Sequence, residues 1–69
     1  MFSPNVELDA QMVFTRIHNG MDGFLQEAFL LRNHFSGPDE AIKRAKWLSR
    51  QSPEYIEKVS NRVVELENG

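Results

Sequence analysis

His18 and Asp22 stand one helical turn apart, a spacing at which an imidazole and a carboxylate on one helix face could begin a metal site. A closed site needs a third and a fourth ligand. The chain offers none: His34 lies too far along the same segment, and with no cysteine a thiolate site is impossible. No metal and no cofactor are therefore expected. Nucleophilic catalysis has no better footing, because Ser36, Ser49, Ser52 and Ser60 show no spacing that links them to either histidine. The expected function class is binding, not catalysis.

The residues best suited to binding lie between 43 and 50. Stepping about 100° per residue along a helix places Trp47, the sole tryptophan, away from Ala41, Ala45 and Leu48, with Lys43, Arg44, Arg50 and Gln51 on its side. Tryptophan with arginine is the composition of protein-binding hot spots. Lys43, Arg44, Trp47 and Arg50 are accordingly expected to contact a partner, with an acidic protein surface ahead of nucleic acid. Two plainer readings stand beside this one. Trp47 could cover the first helix or a dimer mate as ordinary packing, and Lys43, Arg44, Lys46 and Arg50 could simply complement the C-terminal end of their own helix dipole.

The elements that must position these groups are helices. Ser3-Pro4, Ser36-Gly37-Pro38 and Ser52-Pro53 each set a capping residue beside a proline suited to a first helical turn, and acidic residues follow each pair. Helices are predicted at about 5–35, 38–50 and 53–67, giving an all-α three-helix protein in a single domain over 1–69. Apolar faces fall at Ala41, Ile42, Ala45 and Leu48 in the second helix and at Tyr55, Ile56, Val59, Val63 and Leu66 in the third. The short link between them predicts an αα-hairpin lying on the first helix.

The first segment carries an apolar ladder with steps of four and three: Ala10, Phe14, Ile17, Met21, Phe24, Ala28, Leu31 and Phe35. Its unbroken phase predicts one continuous helix. His18-Asn19-Gly20-Met21-Asp22-Gly23 opposes that, since two glycines cost about 2 kcal/mol of helix propensity and a kink or break there would let short helices close on themselves. A continuous helix over 5–35 would be about 45 Å long, more than a hairpin of about 20 Å can shield. A chain of 69 residues without cysteine has few other means of support, so a dimeric helical bundle is expected. Its interface is assigned to Phe14, Ile17, Gly20, Met21, Gly23 and Phe24, with the two glycines permitting a close antiparallel crossing of two long helices.

The run Ser52-Pro53-Glu54-Tyr55-Ile56-Glu57-Lys58-Val59-Ser60-Asn61-Arg62 is similar to recognition helices of helix-turn-helix proteins. The resemblance covers eleven residues and implies a DNA-binding regulator that reads its site with helix 53–67. Arg50 and Gln51 stand where such motifs usually carry a glycine and an apolar residue, and Glu54 and Glu57 would approach phosphates. The overall charge of −2 also argues against a strong hold on nucleic acid or anionic membrane. No stretch approaches the ~20 apolar residues of a membrane span, and residues 1–9 show no targeting pattern, so a cytoplasmic protein is expected. The leading expectation is a small non-enzymatic regulator or adaptor, a homodimer that occludes or recruits another protein. A DNA-binding regulator and a helical oligomer holding a small anionic ligand are the alternatives.

Overall fold

The computed structural model describes residues 2–30 and 35–69, the side chains of Met21 and of residues 24–30 excepted. Three helices follow one another: α1 (Val6–Leu30), α2 (Pro38–Leu48) and α3 (Pro53–Asn68). The all-α expectation holds for the described residues. None of these helices is long and apolar enough to cross a membrane.

Each helix start has a local cause. The α1 cap is Asn5, not Ser3: its side-chain oxygen accepts the Leu8 N–H at 3.0 Å, and Glu7 and Asp9 follow in the first turn. Pro38 and Pro53 open α2 and α3 as first-turn prolines. Ser52 caps α3 by accepting the Tyr55 N–H at 3.3 Å, whereas Gly37 is the α2 cap and Ser36 bonds the Glu40 carboxylate instead. Two side chains close the end of α2: Ser49 Oγ donates to the Lys46 carbonyl at 2.7 Å and Gln51 Nε2 to the Trp47 carbonyl at 3.0 Å.

The expected unbroken first helix is interrupted at Gly20, where φ is 73° and ψ −174°. That region is open to glycine almost alone, so α1 consists of two helical stretches joined at this residue. Gly23 has a second local role. A Cβ there would sit 2.3 Å from the Asn19 Cβ, closer than two such atoms can approach. Both glycines therefore have a backbone role within one chain, apart from any crossing between two copies.

The segment does not run on as helix to Phe35. Phe35 is not helical, and it is buried in one cluster with Leu8, Met12 and Ala41. In a straight helix, residues 8 and 35 would lie about 40 Å apart. The longest dimension of the molecule is 29 Å, too short for the predicted rod.

A second cluster joins Ala10 of α1 to Leu48 of α2 and Val59 and Val63 of α3, with Val6, Val13, Trp47, Tyr55 and Leu66 packed around it. Both later helices pack chiefly on α1, and less on each other than an αα-hairpin implies. The predicted apolar faces are buried at Ala41, Leu48, Val59 and Val63 but not at Ile56, which is exposed. From the α1 ladder Ala10 is buried, Phe14 is half-buried against the His18 ring, and Ile17 is exposed. Met21, Phe24, Ala28 and Leu31 lie outside the described side chains.

Candidate functional site: a cationic aromatic shelf on a buried ion pair

Arg44 reaches inward from α2 and is only 4% exposed, while Asp9, on α1, is fully buried. Their contact is a two-point fork: Nε donates to Oδ1 at 2.8 Å and an Nη to Oδ2 at 3.1 Å. The Tyr55 hydroxyl, from α3, donates to the same Oδ2 and accepts the Asn5 N–H at 2.9 Å. One carboxylate therefore ties all three helices together. Among the described residues no buried side-chain nitrogen or oxygen lacks a hydrogen-bond partner, so this polar knot is satisfied throughout. Burial, followed by the hydrogen bond to Asp9, pushes the Tyr55 phenol above its usual range.

Aromatic rings cover the ion pair. The Arg44 guanidinium carbon lies 4.6 Å from the Trp47 ring centre and 5.7 Å from that of Phe2, distances at which a cation is attracted to a π face. Trp47 meets Tyr55 edge-on with ring centres 5.9 Å apart, and Phe2 at 6.1 Å. Trp47 is thus half-buried, part of the packing on one side and open on the other.

The open side is a shallow cavity of about 300 Å³ lined by Phe2, Lys43, Lys46, Trp47 and Arg50. The cations are exposed, and none of them forms an ion pair among the described residues. The structure therefore brings together Lys43, Trp47 and Arg50 of the expected binding face, adds Lys46 and Phe2, and removes Arg44. Arg44, 4% exposed with two donors on the Asp9 carboxylate and its guanidinium over the Trp47 ring, faces inward and not toward a partner. Gln51 also leaves the face, since its amide closes the end of α2.

The remaining sequence candidates separate. His18 lies beside Glu67, with Nε2 to Oε1 at 3.3 Å, and not in a metal cluster; no group of three potential ligands occurs among the described residues. His34 falls outside the described residues. On α3, the exposed positions Glu54, Glu57 and Glu65 are acidic, and Arg62 is engaged by Glu7 at 2.6 Å. Lys58 is exposed there as well, so the balance of charge on the exposed α3 residues is acidic. No family model, curated protein or solved structure matches this chain.

Proposed function

We infer that this protein is a small non-enzymatic binding protein, a regulator or adaptor that engages an acidic surface of another protein through the outer side of α2. Lys43, Lys46 and Arg50 supply the attraction, and Trp47 with Phe2 supplies apolar contact at the centre. One observation carries the reading: three exposed cations, unpaired among the described residues, ring a half-buried tryptophan that packs against Tyr55 and Arg44. The Arg44–Asp9 fork ties α2 to α1 beneath the shelf, and Arg44 in turn lies against the Trp47 ring at the centre of it.

The test is partner capture with the full chain. Lys43→Glu with Arg50→Glu should abolish capture and leave helicity and thermal midpoint unchanged, while Glu57→Lys on α3 should leave capture intact. Retained capture by the first variant would contradict the assignment. Trp47 fluorescence gives a second readout, because a shift with inorganic phosphate or nucleotide alone would reassign the cavity to a small anion. Retardation of duplex DNA that weakens steeply with salt would transfer the function to nucleic acid.

A further inference from the structure

A second surface, built on α1 with Leu48, Ile56 and Val64, carries an apolar trough. Two cavities, of about 360 and 450 Å³, share Val13, Ile17 and Leu48 and run together along α1. Among the described residues the large hydrophobic side chains left exposed are Ile17 at 60%, Val64 at 53% and Ile56 at 37%, and all three line this trough. Scattered exposed apolar residues need no explanation, but their collection on one groove continuous with the core at Leu48, Val59 and Val63 does.

The two ends of the trough differ in charge. Arg16 lines it at the α1–α2 end, beside Ala45, and Glu67 lines it at the α1–α3 end. A groove with a cation at one end, a carboxylate at the other and apolar residues between them is self-complementary under a two-fold rotation: Arg16 of each copy meets Glu67 of the other. Glu67 lies 3.3 Å from His18 through one oxygen, and its carboxylate retains lone pairs for a donor from another copy. A parallel arrangement would set like charges together.

From these features we propose that the trough is closed by a second copy of this chain, packed two-fold about Ile17 and Leu48, with Ile56 and Val64 buried in the contact. This surface differs from the Gly20–Gly23 crossing expected from sequence, and it is independent of the shelf on α2.

Solution mass of the full chain by light scattering over a concentration series tests it. Wild type should run at twice the single-chain mass, and Ile17→Glu at single-chain mass with unchanged helicity. Arg16→Glu and Glu67→Arg should each weaken association about tenfold or more, and the double exchange should restore it, an outcome that loss of folding cannot mimic. A wild-type species that stays at single-chain mass throughout would overturn the proposal. Dimer mass retained by Ile17→Glu, or a double exchange that restores nothing, would overturn it equally.

Discussion

Two places on α1, barely two turns apart, break the simple rule that charge faces water and apolar residues face inward. At Asp9 a carboxylate is fully buried, and at Ile17 a large aliphatic side chain is 60% exposed. The first is tolerated because every lone pair that matters is met, by a two-point arginine and a tyrosine hydroxyl from two other helices. The second arises because the chain changes course at Gly20, one turn later, so that nothing among the described residues lies over Ile17. Burial in so small a protein follows where the chain can deliver partners: they converge on Asp9 from α2 and α3 and leave Ile17 open.

Breaking the Asp9 side should have the largest effect. Asp9→Ala leaves an arginine buried without its counter-charge, and a loss of about 3–5 kcal/mol in urea unfolding is expected. Replacing both partners by apolar residues, Asp9→Leu with Arg44→Met, should recover most of that loss, because no unpaired charge remains. Next comes the course change itself. Gly20→Ala forces a Cβ into backbone territory that glycine occupies almost alone and should cost about 1–3 kcal/mol. Tyr55→Phe removes two hydrogen bonds from the knot while keeping the ring, and about 1–2 kcal/mol is expected by the same measurement.

The smallest effect is a pH dependence at the surface. Hydrogen bonds from Arg62, then Gln11, hold the Glu7 carboxyl down at about 2 against an ordinary 4.5. A depressed carboxylate contributes stability that is present above its ordinary value and lost as pH falls toward its folded value. Urea midpoints should therefore drop between about pH 4.5 and about pH 2, more in wild type than in Glu7→Gln, and the difference should shrink with added salt because this pair is solvent-exposed.

Much of the fold was legible where local rules act alone. Pro38, Pro53 and the Ser52 cap mark two helix starts correctly, and period-3.6 patterning finds the buried Ala41, Leu48, Val59 and Val63. The first helix was harder, because the apolar phase runs through Gly20 without a slip and periodicity carries no information on a backbone that turns aside. Arg44 was misplaced for a different reason. It sits three residues after Ala41 and four before Leu48, about 60° from the first and about 40° from the second, so the same stepping that groups it with Trp47 also sets it at the edge of the buried face. Nothing local could name Asp9 as its mate, since 35 residues separate them and an acidic residue in a first turn is sufficiently explained by the helix dipole.

The sharpest test compares two arginines on the α2 side, one assigned to the interior knot and one to the open shelf. Urea unfolding of Arg44→Ala and Arg50→Ala should give a loss of about 3–5 kcal/mol for the first and less than about 0.5 kcal/mol for the second. Equal losses, or a stable Arg44→Ala protein, would contradict the claim that a buried ion pair holds the three helices together.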